Sequence, residues 1–207
     1  MSVPPPPPPP PPPRRLIIEG NIGAGKSTVL EYFKHDPSSV HVLPEPVHEW
    51  KECLRLFYET PTEWALPFSL MALCAHARRR AKDAPPGTSW VVGERCCLAT
   101  RHVFTQVLFN DRVLDEEGWA LFKAYYEELK WEPTSRDIIV FLHVPAETCH
   151  ERILERGREG ENIGIEYLRS LEFQYTTMLK FAPCPVHVLD GTLAPDVLAR
   201  TIFSLLN

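Results

Sequence analysis

No two of the six cysteines (Cys53, Cys74, Cys96, Cys97, Cys149, Cys184) stand in C-x-x-C spacing, and none pairs with histidines in the order of a zinc site. No N-x-[ST] sequon occurs either. The thiols therefore read as reduced, and a cytoplasmic location is expected. No apolar run is long enough to cross a bilayer, so a membrane is not an expected partner. Surplus positive charge is missing too: 22 Lys and Arg stand against 27 Asp and Glu, a net charge of -5. A sequence-independent grip on nucleic acid needs cations gathered on one face, so nucleic acid is not expected as a partner. The amino end lacks both the Arg-rich amphipathic helix of a mitochondrial presequence and the apolar core of a secretory signal.

Proline, by contrast, is abundant. Ten of the 22 prolines form the unbroken run Pro4 to Pro13, which has no amide donors for helix or sheet. Residues 1–13 are expected to be a disordered, extended tail. Two readings of it stay open, a ligand for a proline-recognising domain and a plain low-complexity extension, the second favoured because the flanks offer only Arg14 and Arg15. Residues 14–207 form the expected single globular domain, with 44% hydrophobic residues over the whole chain to supply a core.

From Leu16 onward short apolar runs alternate with longer amphipathic segments, the pattern of an α/β fold with a parallel sheet flanked by helices. Five strands are predicted, at Leu16 to Glu19, Val40 to Leu43, Trp90 to Gly93, Asp137 to His143 and Val186 to Leu189. Thr60-Pro61-Thr62-Glu63 reads as a helix start with Thr60 as N-cap and Glu63 closing a capping box; the helix runs to about Lys82, with a kink expected at Pro67. Further helices are predicted from Asp115, over Ala146 to Arg156 and over Ile165 to Phe181. There is no internal repeat.

Between the first strand and a predicted helix lies Gly20-Asn21-Ile22-Gly23-Ala24-Gly25-Lys26-Ser27, which satisfies G-x-x-x-x-G-K-[ST]. Glycines let successive backbone N–H groups point at phosphate oxygens, a helix N-terminus adds positive potential, and Lys26 brings a mobile charge to the outer phosphates. Ser27 is the expected Mg2+ ligand. The motif predicts a bound nucleoside triphosphate and does not by itself choose a reaction. No guanine-specifying N-K-x-D is present, and motors or larger ATPases need more chain. A small chain with this loop at its start, Glu45 after the second strand and an arginine-rich segment near its end suits phosphate transfer to a small molecule.

Five blocks in order then carry a resemblance: Glu19 to Thr28; Pro44-Glu45-Pro46-Val47 with Trp50; Tyr58-Glu59-x-Pro61 with Trp64; Glu94-Arg95 followed by Arg101; and Arg156-Gly157-Arg158 with Glu161, leading to Glu166-Tyr167-Leu168. From Leu16 to about Leu189 the chain resembles the deoxynucleoside kinase family of deoxycytidine, deoxyguanosine and mitochondrial thymidine kinases. The resemblance implies a P-loop kinase fold with an arginine-rich lid, ATP and Mg2+ as cofactors, and transfer of the γ-phosphate to a deoxynucleoside 5′-hydroxyl. It implies Glu45 as general base, Arg95 orienting Glu45 and the sugar end, and Glu94 assisting Ser27 with Mg2+. Lys26 and residues Gly20 to Thr28 would hold the triphosphate, with Arg152, Arg156 and Arg158 closing over it. Tyr58 and Glu161 would read the sugar 3′-hydroxyl, Phe68 would stack on the base, and Trp50 would wall its pocket. A homodimer packed through helices in the Thr60 to Lys82 and Ala99 to Phe109 segments is implied as well.

Taken alone, several of these residues have plainer readings. Glu45 could be a surface carboxylate in a Pro-rich turn, the Glu94-Arg95 pair a structural ion pair, and the arginines after Arg152 a solvated helix face. Phe68 and Trp50 would pass for core packing. The pattern also departs from the family at the base: Ser69 replaces a Gln that reads the base edge, and His76 and Thr100 replace the Arg and Asp of deoxycytidine kinase. The compact, uncharged Thr100 leans the reading to thymidine or broad pyrimidine use. Two rivals remain: a thymidylate-type nucleoside monophosphate kinase, for which Arg78 to Arg80 would have to bind the acceptor phosphate, and a non-catalytic nucleotide-binding assembly subunit. Three adjacent helical arginines point in different directions and are expected to be solvated.

Overall fold

A computed structural model of the chain describes residues 12–35, 40–81, 84–158 and 161–206. The expectation for the tail falls outside the described residues up to residue 11, as do Lys82 and two residues of the predicted lid loop, Glu159 and Gly160.

Five strands form one sheet: β1 (Arg14–Gly20), β2 (Val40–Leu43), β3 (Trp90–Glu94), β4 (Ile138–His143) and β5 (Val186–Asp190). Their order is β2-β3-β1-β4-β5 and every pairing is parallel. The predicted strands match these to within a residue or two at each end. β1 sits centrally, with Leu16 paired to Val92 on one side and Ile138 on the other. A parallel strand covered on both faces needs an apolar run instead of alternation, which is why Leu16, Ile17 and Ile18 are all buried. The edge strand β5 is less covered, and Val188 on it is exposed.

Helix α1 (Lys26–Glu31) follows β1 and α2 (Val47–Glu59) follows β2. The latter was not foreseen. Two prolines at positions 44 and 46 read as a turn, yet Pro46 becomes the residue at which the helix begins, and Trp50, Leu54 and Phe57 recur behind it at helical spacing. α3 (Pro61–Ala81) continues through Pro67. Its start differs from the predicted capping box: the Thr60 backbone carbonyl accepts from the N–H groups of Glu63 and Trp64, while its hydroxyl donates back to the Leu56 carbonyl at 3.5 Å.

After β3 comes a helical stretch made of α4 (Cys97–Ala99), a π-helical turn (Thr100–Phe104) and α5 (Thr105–Asn110). The Thr105 hydroxyl donates to the Thr100 carbonyl at 2.8 Å, fixing the wide turn. Such turns re-aim side chains, and this one sets Thr100 and Phe104 toward the central cavity. α6 (Glu116–Leu129) is capped by the Asp115 carboxylate, which accepts from Gly118 N–H at 2.7 Å. α7 (Ala146–Arg156) ends on left-handed Gly157, α8 (Ile165–Leu179) follows, and α9 (Pro195–Ser204) closes the chain with proline at its first turn.

One apolar cluster joins β1, β3 and β4 to α1, α7, α8 and α9; a second joins α2, α3 and α6 around Phe57, Leu73, Trp119 and Phe122. Each fully buried large side chain, such as Phe122, contributes roughly 1.5–3 kcal/mol against the entropy of ordering the chain. All six cysteines are free thiols. No helix among the described residues is long and apolar enough to cross a membrane.

Candidate active site

The strand order reverses at β1, whose neighbours are β3 and β4. In an open parallel sheet that point leaves a crevice beyond the C-terminal strand ends. Here it opens into a cavity of about 930 Å³. Of the predicted site residues, Ile22 to Thr28, Glu45, Trp50, Tyr58, Phe68, Ser69, His76, Glu94, Arg95, Thr100, Arg152, Arg156, Arg158 and Glu161 all line it. Gly20 and Asn21 do not. Their roles are structural: a Cβ on Gly20 would lie 2.9 Å from the Leu142 carbonyl, and the Asn21 side-chain amide donates to the Leu168 carbonyl at 2.9 Å, tying the loop to α8.

At one end of the cavity the loop between β1 and α1 wraps around Lys26. Its ammonium donates to the carbonyls of Gly20 (3.0 Å) and Asn21 (2.8 Å) and lies 3.8 Å from Glu94. Burial, together with the charge of Arg95, brings the Lys26 pKa down to about 8. The Ser27 hydroxyl donates to the Glu94 carboxylate at 2.9 Å. Those two hard oxygen donors, beside a ring of backbone N–H groups, fit a divalent cation of the Mg2+ type that takes its remaining ligands from water and phosphate.

Across the cavity stands a buried ion pair. Arg95 donates one Nη to both Glu45 oxygens, at 2.6 and 2.5 Å, with both side chains 10–13% exposed. Burial pushes the Glu45 carboxyl up, but Arg95, through its charge and hydrogen bond, together with neighbouring cationic groups outweighs it and holds the pKa at about 2. Arg95 adopts φ 58, a left-handed conformation costing about 1–2 kcal/mol in a non-glycine residue. Its backbone N–H bond to the Ile18 carbonyl, the ion pair and contact with the Phe104 ring at 4.8 Å hold it there.

Two of the three arginines expected to form a lid are engaged within the protein. Arg152 donates to the Gly191 carbonyl at 3.3 and 3.4 Å, and Arg156 donates to Glu161 at 2.6 Å. Tyr58, close to Glu161, has its phenol pushed up to about 12 by burial and then by that carboxylate. Trp50 meets His76 edge-on at 5.4 Å, Phe68 stacks on Phe57 at 5.3 Å, and His76 Nδ1 lies 2.8 Å from the Thr100 hydroxyl. Arg101, part of the fourth sequence block, points elsewhere, over the Trp119 ring at 4.1 Å.

Three residues escaped the sequence reading. Phe57 emerges as a wall of the cavity beside Phe68 only once α2 is a helix. Glu19 is wholly buried at the end of β1, accepting from Cys96 N–H at 3.1 Å and Tyr175 O–H at 3.2 Å; burial lifts its pKa to about 7. A carboxylate inside an apolar strand gave a signal, though nothing local named its partners. Arg79 corrects the expectation that Arg78 to Arg80 are solvated. Arg78 is, pairing with Glu49 at 2.6 Å on the surface, but Arg79 is buried and donates to the carbonyls of Glu94 (2.7 Å) and Leu43. Gly93 leaves room for it, since a Cβ there would sit 3.2 Å from the guanidinium.

Comparison with known proteins agrees with this geometry. The family model for deoxynucleoside kinase matches residues 16–199. Deoxycytidine kinase 2 of Gallus gallus is 30% identical over 193 residues, covering 78% of this chain and 72% of the relative. The thymidine kinase of Ictalurid herpesvirus 1 is 30% identical over 197 residues, covering 91% and 84%. Mitochondrial thymidine kinase 2 of Homo sapiens is 30% identical over 163 residues, covering 75% of this chain and 60% of its own length. With a P-loop, a five-stranded parallel sheet and a match over nearly the whole globular part, the chain is a phosphotransferase that belongs to the deoxynucleoside kinase family.

Proposed function

We propose that this protein transfers the γ-phosphoryl group of ATP to the 5′-hydroxyl of a deoxynucleoside, with thymidine or pyrimidines broadly as acceptors. The observation that carries the proposal is the single cavity with Lys26, Ser27 and Glu94 at one side and the Glu45–Arg95 pair at the other. The backbone N–H groups from Ile22 to Thr28 and the Lys26 ammonium bind the triphosphate, and Arg152, Arg156 and Arg158 offset charge on the transferred group while excluding water. Ser27 and Glu94 would hold Mg2+, which would supply neutralisation of phosphate charge. Glu45 accepts the proton of the 5′-hydroxyl, and Arg95 fixes where its oxygens point. Tyr58 and Glu161 bind the 3′-hydroxyl in a space with little room for a 2′-hydroxyl. Trp50 and Phe68 flank the base, whose edge faces Ser69, His76 and Thr100.

The family resemblance supports a homodimer, and the six reduced cysteines support a cytoplasmic location. A thymidylate-kinase reading needs cations for an acceptor 5′-phosphate. Of the candidates Arg78 to Arg80, Arg78 and Arg79 do not line the cavity and are committed to Glu49 and to backbone carbonyls. The test is a phosphate-transfer assay with ATP and Mg2+ against thymidine, deoxycytidine, deoxyadenosine, deoxyguanosine and dTMP in parallel. Transfer to the pyrimidine nucleosides is expected; transfer to dTMP alone, or to none, would sink the reading.

Lys26 adds a pH signature. In the free protein its pKa is about 8, and a bound polyanion raises it again. ATP binding should therefore take up a proton near pH 9, roughly midway between the free-protein and ordinary lysine values, and affinity should fall as pH rises above 8. Calorimetric titration in two buffers of different ionisation enthalpy reads the uptake directly, and identical heats in both would contradict it.

A further inference from the structure

Three buried side-chain polar atoms have no hydrogen-bond partner among the described residues: His76 Nε2, Arg79 Nε and Arg95 Nε. His76 and Arg79 lie on α3 and Arg95 follows β3, and all three residues line one small cavity of about 30 Å³, together with Leu43, Gly93, Cys96 and Trp131. A space of that size holds one water molecule, and leaving three such groups unpaired would cost more than ordering it. Neither guanidinium Nε can accept a hydrogen bond, so both must donate. A water oxygen has two lone pairs, and the two arginines fill them. Its hydrogens then face outward, and the third nitrogen can be satisfied only by accepting.

The geometry points to an ordered water held by His76, Arg79 and Arg95, which fixes His76 as the Nδ1–H tautomer and turns the proton of the Thr100 hydroxyl toward the nucleobase. The last step follows from the 2.8 Å contact between His76 Nδ1 and Thr100 Oγ1. When Nδ1 carries the proton it donates to that oxygen, so the hydroxyl hydrogen must be spent elsewhere, and Thr100 lines the main cavity. Burial holds His76 neutral, with a pKa of about 3, so a tautomer choice exists at every working pH. The base edge thus meets a hydroxyl donor suited to a ring carbonyl or ring nitrogen acceptor. Through the water, the same device touches Arg95, which positions Glu45. His76 and Arg79 are positioning residues in this scheme.

The inference rests on the deoxynucleoside kinase reading for what Thr100 faces, but its first test does not. In the full chain labelled with 15N-histidine and free of substrate, the resonance lost in His76→Asn should show a protonated Nδ1 and an unprotonated Nε2. A high-resolution crystal structure should show one water bonded to the three nitrogens. A protonated Nε2, a chloride in place of the water, or an empty cavity would each overturn the proposal while leaving the kinase reading intact. Conversely, an Nδ1–H tautomer in a protein that phosphorylates no nucleoside would sink the function and keep the water site. In kinetics, Thr100→Val keeps the side chain's shape but lacks the hydroxyl donor, and should raise the nucleoside KM about tenfold with little change in kcat. His76→Asn cannot reach the water, so nothing fixes the direction of the Thr100 proton, and that KM should rise here too with little change in kcat; an unchanged KM in Thr100→Val would overturn the donor assignment. Equal loss of kcat in both variants would mark both residues as merely structural.

Discussion

Replacing Glu45 with Gln is expected to lower kcat by about a hundredfold or more, the usual contribution of a positioned base, while the KM for ATP changes little. The substitution keeps the side chain's shape and leaves one carbonyl oxygen for Arg95, so the site retains its walls. What disappears is the only negative charge that the Arg95 guanidinium grips with both oxygens in a pocket about nine-tenths shielded from water. A carboxylate held at a pKa of about 2 is a weak base in the free protein, but it is ionised at every pH where the enzyme works. Proton transfer needs only follow as the oxygen–phosphorus bond forms, since phosphoryl transfer passes through a loose transition state. Steady-state kinetics on Glu45→Gln, with thermal unfolding as a check on the fold, decide the matter. Full turnover with a raised nucleoside KM would reduce Glu45 to a binding residue.

The central strands and the P-loop were readable because local physics dictates them: apolar runs that only a doubly covered sheet can hide, and glycines that only a phosphate cradle explains. Helix α2 was not, because Pro44 and Pro46 speak for a turn and the amphipathic run behind them is only thirteen residues long. Arg79 was misjudged for a related reason. Helical spacing tells which residues share a face, but whether a face meets solvent or two strand-end carbonyls depends on β2 and β3, which are far away in sequence. The pairing of Arg156 with Glu161 and the convergence of His76, Arg79 and Arg95 on one cavity are likewise products of tertiary packing. Residue types announced the chemistry; partners emerged from the topology.

Gly23→Ala should weaken ATP binding by about a hundredfold, and a matched glycine elsewhere shows why. Gly23 has φ 82 and Gly87 has φ 85, so an alanine at either position meets the same left-handed strain of about 1–2 kcal/mol. Around Gly87 nothing lies within 4 Å of the added carbon, and the loss should end there. At Gly23 the new methyl would sit 2.6 Å from the Cys149 carbonyl and 3.2 Å from Ile153, both on α7. That helix carries Arg152 and Arg156 into the cavity. Relieving the contact demands a shift of about an ångström between the phosphate loop and the lid helix, and misplacement on that scale costs roughly two orders of magnitude. Both variants should therefore unfold at reduced temperatures, Gly23→Ala the lower of the two because of the added contact, while only Gly23→Ala loses affinity in an ATP titration. Equal ATP affinity in the two would mean that the phosphate loop tolerates the methyl group and that the close approach of α7 is not what holds the lid arginines in register.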